Sequence, residues 1–270
     1  MSKMFKAHYH YFNPMTNLSQ EEIYTYITEN VMKPFYEVRL AKLTALTLQS
    51  ILKRKNPYLF KAKNIETSGG LVKYILDAFL SSQEETIFGN LLEHLAIFVC
   101  EKAYNGHKAE QGVLKSVDLE FIRDKKYYIV GIKSGPNWGN KDQVDRMKFN
   151  FRFAKKILKK NGVRNEIVAV NGCIYGKDNN PFKEDRVPEE SYYKYCGQEF
   201  WELVSGDKDL YKNIILPIDK AAKKRSENFM EVYAAKSNEM TKEFSDNFLT
   251  KKGQVDWEKI IDFVSKKSEK

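Results

Sequence analysis

The residues able to do chemistry are concentrated between Val117 and Lys133. Val117-Asp118-Leu119-Glu120-Phe121-Ile122 alternates apolar and polar side chains, the pattern of a half-buried strand. Arg123 to Lys126 reads as a turn, and Tyr127 to Lys133, rich in aromatic and β-branched residues, reads as the returning strand. Side chains at i and i+2 share a face. Asp118 and Glu120 therefore point one way, and Tyr127, Ile129, Gly131 and Lys133 share one face of the second strand. A two-residue turn at Asp124-Lys125 sets Arg123 against Lys126 and Asp118 against Gly131. Opposed residues of an antiparallel pair lie on one face, so Asp118, Glu120 and Lys133 are expected to cluster. A one-residue slip would send Lys133 to the other side.

Two carboxylates can hold a hard divalent cation such as Mg²⁺, which takes oxygen ligands and keeps several waters. Such a cation polarises a phosphoryl oxygen and lowers the pKa of an attacking water. A lysine beside it can orient or deprotonate that water and stabilise charge on a phosphate. These are the parts that hydrolysis of a phosphodiester needs. A DxE pair alone has a plain alternative, a solvated sheet face. Lys133 at the matching position, followed by the Gly/Pro/Asn/Trp loop Ser134 to Asn140, is what favours a site.

The elements around this hairpin must position it. The first 105 residues read mostly as helix: a start at Ser19, where Ser19 and Glu22 form a capping pair, then about Phe35 to Arg54, Leu71 to Leu80, and a further helix capped by Ser81-Ser82 and running to about Tyr104. Lys141 to Lys160 is an amphipathic helix, with Val144, Met147, Phe151, Ala154 and Leu158 on one stripe and Gly162 at its end. Glu166 to Tyr175 is an apolar strand. The last 80 residues read as mostly helical and polar, with a long candidate from about Asp219 to Phe248. No Pro/Gly linker divides the chain. The expectation is a mixed α/β fold in a single domain, residues 1–270: a core at about 84–180, with helical elaborations at 14–80 and 189–266.

The net charge is +9, with 45 Lys and Arg against 36 Asp and Glu. That excludes an acidic disordered tail protein and makes a polyanionic partner plausible. Helix 141–160 carries eight Lys or Arg against two Asp, and its N-terminal end should lie beside the site. Lys141 and Arg146 are the candidates for DNA-backbone contact there; the lysines further along read equally well as a solvated face. Three widely spaced cysteines, Cys100, Cys173 and Cys196, argue against a disulfide framework or a CxxC zinc site and fit a reducing cytoplasm. No run of 18 apolar residues would span a membrane, and Met1 to Asn13 lacks the apolar stretch of a signal peptide. His8, His10 and His107 show no metal-ligand spacing.

The arrangement resembles the PD-(D/E)xK nuclease superfamily, whose pattern is an acid on one strand and acidic-x-Lys at the end of the next. Asp118 matches the first position and Lys133 the lysine, over roughly residues 84–176. Asn56-Pro57-Tyr58-Leu59-Phe60-Lys61, Asp118-Leu119-Glu120-Phe121 and Ile132 to Asn140 look like segments of bacterial type II restriction endonucleases, over about 50 to 265. The resemblance implies a restriction-endonuclease-like core, a mixed central sheet flanked by helices with extra N- and C-terminal helices. It implies Mg²⁺-dependent cleavage of double-stranded DNA at a specific sequence by a homodimer, with a cognate DNA methyltransferase acting on the same site. Asp118 would be the main metal ligand and Lys133 would position the water.

One departure stands out: Gly131 occupies the acidic position of acidic-x-Lys. Glu120, on the same face, could supply the second acid as a metal ligand. Alternatively Glu93 could reach in from the preceding helix, where superfamily members often carry a Glu; a salt bridge is its other reading. In the loop, Ser134, Asn137 and Asn140 could donate to phosphate or base edges. Trp138 could stack, or could simply plug the core. Gln143 could orient a substrate or water. A repair nuclease of the same superfamily, or a DNA-binding module on a decayed nuclease core, are the competing readings.

Overall fold

The computed structural model describes residues 18–110 and 113–267, with the side chains of 224–227 excepted. Met1 to Asn13, including His8 and His10, lies outside the described residues. The helices are α1 (Gln20–Tyr26), continuing as a π-helical stretch (Ile27–Met32), α2 (Lys33–Ala45), α3 (Leu48–Leu52), α4 (Pro57–Ala62), α5 (Ser68–Tyr104), α6 (Lys141–Lys160), α7 (Gln198–Ser205), α8 (Leu210–Asn213), α9 (Ile215–Phe248) and α10 (Trp257–Ser265). The strands are β1 (His107–Lys108), β2 (Leu119–Arg123), β3 (Lys126–Lys133), β4 (Glu166–Cys173), β5 (Phe182–Lys183) and β6 (Tyr192–Cys196). They form one sheet in the order β1-β2-β3-β4-β6-β5. The β3–β4 and β4–β6 pairs are parallel and the others antiparallel. The fold is thus mixed α/β, a central mixed sheet flanked by helices with further helices at both ends. Among the described residues no helix is long and apolar enough to cross a membrane.

The described residues form two compact units, one made of the residues up to Tyr24 with those of Leu92–Ile214, the other of Thr25–Leu91 with the residues from Ile215 onward. The second is helical. Its core gathers Leu43, Ile51, Leu71, Leu76, Phe244 and Ile260, all almost fully buried. The first holds the whole sheet. There α6 lays Met147, Phe151, Ala154 and Leu158 against Tyr127, Ile129 and Ala169. Each such buried large side chain contributes roughly 1.5–3 kcal/mol. Asn140 caps α6 reciprocally with Gln143, and Gly162, at φ +91°, follows its end.

The β2–β3 hairpin has the register that the two-residue turn requires, with Arg123 opposite Lys126 and Glu120 opposite Ile129. Asp124 and Lys125 both have positive φ, 49° and 63°, as a type I′ turn demands. Phe121 and its cross-strand partner Tyr128 stack at 5.0 Å, and Tyr104 of α5 stacks on Phe121 at 5.7 Å. Hairpin and α5 are thereby fixed together.

Three local expectations are corrected. The Ser81-Ser82 segment does not cap a new helix; α5 continues through it, because its neighbours Phe79, Leu80 and Ile87 stay buried on one stripe and Thr86 bonds back to the Ser82 carbonyl within the helix. The stretch from Phe35 to Arg54 is two helices, broken at Leu46, where Thr47 caps α3. The region after residue 180 contributes β5 and β6 to the sheet before turning helical. Tyr192-Tyr193-Lys194-Tyr195-Cys196 is an aromatic strand, with Tyr193 and Tyr195 stacked at 5.4 Å.

Candidate active site

The site is built where the β2–β3 ladder stops. The Asp118 N–H still donates to the Val130 carbonyl at 2.8 Å. One step further along β3, the Ile132 N–H donates to the Asp118 carboxylate at 2.7 Å instead of to a backbone carbonyl. The carboxylate is thus tied to the end of β3 by a strong charge-assisted bond. Lys133, the last residue of β3, brings its ammonium to 3.8 Å from the same carboxylate and donates to the Ile132 carbonyl at 2.8 Å. Both side chains remain partly open to solvent, at 14% for Asp118 and 29% for Lys133, so a substrate can reach them.

Glu93 comes from α5. It is partly buried, and burial together with the negative charge of Asp118 raises its pKa, against the opposing pull of Lys108 and Lys133. Glu93, Asp118 and Lys133 therefore share one electrostatic environment. Lys108 completes it; sequence reasoning passed it over because it sits on a two-residue strand that no periodicity marks.

Glu120 shares the face but not the cluster. Its carboxylate is buried, accepts from the Tyr127 hydroxyl at 2.8 Å and lies 3.8 Å from His107 Nε2. Tyr127 lies on the turn side of Glu120, and His107 is its cross-strand partner on β1. Gly131 explains why the motif's usual acid is missing: a Cβ there would stand 2.6 Å from the Ser116 carbonyl oxygen and 3.5 Å from Phe151. Ser116 itself has φ 61°, and its hydroxyl accepts from the Asn150 side chain of α6 at 2.7 Å. The loop before β2 thus fills the space that an acid would use.

The loop 134–140 leads from Lys133 into α6. Trp138 packs against the core under α6, with its ring 5.4 Å from the Lys133 ammonium. It plugs the core and also steadies that charge, an arrangement in which a cation gains on an aromatic face. Ser134 and Asn137 are exposed. Asn140 and Gln143 spend their side-chain oxygens on each other's backbone N–H groups at 3.0 Å, so their first duty is to cap α6. Lys141 and Arg146 are exposed and, among the described residues, meet no carboxylate within 4.0 Å. Farther along α6 the cations are engaged: Lys148 pairs with Asp145 and Asp185, Arg152 with Glu190, and Lys155 donates to the Glu189 and Ser191 carbonyls.

One exposed aromatic escaped sequence reasoning. Tyr175 follows β4, and its N–H donates to the Ser134 carbonyl at 3.2 Å. Its ring lies over Gly135, where a Cβ would come within 2.5 Å of it, yet the residue is 63% exposed. The only hint in the sequence was Gly135, two residues after Lys133.

Among the described residues, no group of three or more His, Cys, Asp or Glu side chains is placed to hold a metal ion by itself. The site instead offers the Asp118 carboxylate beside the Lys133 ammonium and the Ile132 carbonyl, with Glu93 in their electrostatic field.

No curated protein matches the chain. The family model described as Type II restriction endonuclease EcoO109I matches residues 21–226 of the 270. With a nuclease-type hairpin, an acid and a lysine converging at its end, and a match over most of its length, the chain belongs to this family of type II restriction endonucleases, hydrolases that act on DNA.

Proposed function

We infer that this endonuclease is Mg²⁺-dependent and cuts both strands of double-stranded DNA at a short specific sequence, as a cytoplasmic homodimer. A two-fold dimer is the simplest way to cut a palindromic site twice, and a cognate methyltransferase would protect the same sequence. The observation that carries the reading is the 3.8 Å approach of the Lys133 ammonium to the Asp118 carboxylate at the end of β3, with Glu93 in their electrostatic field.

The donor set suits a hard divalent cation. The negative charge of Asp118 raises the pKa of Glu93, a repulsion that a bound cation would relieve, and the Ile132 carbonyl beside Lys133 is a further oxygen acceptor. Two carboxylates with water completing the shell is the mode that Mg²⁺ favours. Asp118 and Glu93 would hold the ion, in preference to Glu120, whose carboxylate is occupied by Tyr127 and His107. When bound, Mg²⁺ supplies Lewis-acid polarisation of the scissile phosphate and a more acidic water.

The chain's own residues do the rest. Lys133 orients the attacking water and stabilises the charge that grows on the phosphate. Trp138 and the Ile132 carbonyl keep its ammonium pointed into the site. Lys141 and Arg146 contact the backbone of the duplex, and Ser134, Asn137 and Tyr175 line its approach. Asn140 and Gln143 hold the loop and the N-terminus of α6 in register for those contacts. Digestion of a sequenced plasmid with Mg²⁺, and again with EDTA, tests the reading. Discrete bands only with Mg²⁺ support it. A smear would point to a nuclease without sequence preference, and uncut DNA at every divalent-ion concentration would defeat it.

A further inference from the structure

The helical unit carries a concentration of charge that the site at β3 does not use. Between residues 53 and 63 stand Lys53, Arg54, Lys55, Lys61 and Lys63, with no Asp or Glu among them. They bracket α4, which buries Phe60 while Tyr58 is 61% and Leu59 51% exposed. Lys53, Arg54, Lys61 and Lys63 are themselves exposed.

What these cations touch is informative. Lys53 lies 5.2 Å from the Phe263 ring, Arg54 5.9 Å from Phe79, Lys61 5.4 Å from Trp257 and Lys63 4.2 Å from Tyr74. Lys55 donates to the Ala78 carbonyl at 2.9 Å. Among the described residues none of the five is within 4.0 Å of a carboxylate. Some other cations of the same unit are neutralised by a carboxylate three or four residues away: Lys73 by Asp77, Lys223 by Asp219, Lys236 by Glu239 and Lys266 by Asp262. Aromatic faces and a carbonyl orient a cation without cancelling its charge. The patch is therefore pre-positioned, unneutralised and flanked by an exposed tyrosine. That suits an extended row of phosphates, which Lys and Arg bind by releasing counterions.

We propose that the surface formed by Lys53, Arg54, Lys55, Lys61 and Lys63 around Tyr58 is a second contact for the nucleic-acid backbone, separate from the residues at β3 and α6. It rests on the DNA-cleaving reading for its ligand, and its test is read by binding alone.

The protein is titrated in EDTA with a fluorescent duplex of about 30 base pairs, over roughly 50 to 200 mM salt. Lys61→Gln/Lys63→Gln is compared with Lys251→Gln/Lys252→Gln, which removes the same charge from an exposed turn elsewhere in the unit. The first pair should flatten the log–log salt slope by about 1–2 and weaken binding roughly tenfold near physiological salt. The second pair should leave both unchanged. Lys61→Arg/Lys63→Arg should bind like wild type, which separates charge from packing against Trp257 and Tyr74. Equal losses in both Gln pairs, an unaltered slope in the first, or a loss in the Arg pair overturns the proposal. So does binding to phosphatidylserine vesicles with none to the duplex. If wild type never cuts DNA while the slope difference holds, the nuclease reading fails and this one stands; clean cutting with no slope difference gives the reverse.

Discussion

The carbonyl oxygen of Ser116 lies 2.6 Å from the point where a side chain on Gly131 would begin. The acid that the motif leads one to expect is therefore excluded by backbone, with Asn150 holding Ser116 in its positive-φ conformation. Gly131→Asp, which restores the usual motif on paper, should lose activity and destabilise the protein. The displaced strand end carries Asp118, and overpacking of this kind costs about 1–3 kcal/mol. Thermal unfolding and plasmid cleavage check it; a stable, more active variant would mean that the 113–117 loop yields freely.

Lys133→Ala should lower the cleavage rate by roughly 10²–10⁴, the range for losing a group that handles a proton in the transition state. Duplex binding in EDTA should persist within a few-fold. Asp118→Asn should lose as much activity and, in addition, weaken the response to Mg²⁺. Full cleavage by Lys133→Ala would remove the mechanism.

Glu93 and Glu120 are separable by pH. Burial and Asp118 raise the pKa of Glu93, so on acidification it takes up its proton sooner than an ordinary carboxylate. Because the ion needs the anion, cleavage should fall on the acid side as Glu93 protonates. That limb should move to lower pH as Mg²⁺ is increased, since metal competes with the proton. Glu93→Gln should abolish most activity and take the Mg²⁺-dependent limb with it. Glu120→Gln should keep both, while losing stability through its buried contact with Tyr127. The opposite pattern would make Glu120 the ligand.

On α6, Arg146 and Lys148 are two residues apart and have different work. Arg146→Gln should weaken duplex binding and flatten its salt slope by about 1 with little change in thermal stability. Lys148→Gln should do the reverse, because Lys148 ties α6 to Asp185 at 2.7 Å. The Lys148 hydrogen bond and that from the Val187 N–H lower the pKa of Asp185 beneath its ordinary value of 3.8. A lowered acid stabilises the fold above its unfolded pKa and loses that contribution as pH drops through the folded one. The gap between wild type and Lys148→Gln should thus be full near neutrality and close below about pH 4, as unfolding curves at several pH values would register.

The sequence was most legible where one periodicity ran long enough. Helix α6 has the bounds its apolar stripe predicts, and the pairing of Arg123 with Lys126 and of Leu119 with Val130 follows from the turn; at Asp118 the regular ladder ends, its N–H donating to the Val130 carbonyl. Helix α5 was harder, because Ser81-Ser82 looks like a cap and only burial of the neighbouring stripe reveals continuity. Strands β5 and β6 were hidden because two to five residues bear too short a pattern, and β6 is recruited by pairing with β4. At the site, spacing places Asp118 and Lys133, but the orientation of Glu120 depends on Tyr127 and His107, which only packing supplies. Tyr175 is the same kind of case: a ring seated by a bare glycine on another loop leaves almost no local trace.

The paired left-handed residues Asp124 and Lys125 lie nine and eight positions before Lys133 in the chain. Yet they decide on which side of the sheet its ammonium emerges. Gaining or dropping a single amino acid at this bend would invert the parity of everything downstream on β3. Relatives of this enzyme should therefore vary here by exchange of residue types, with length changes only in even steps.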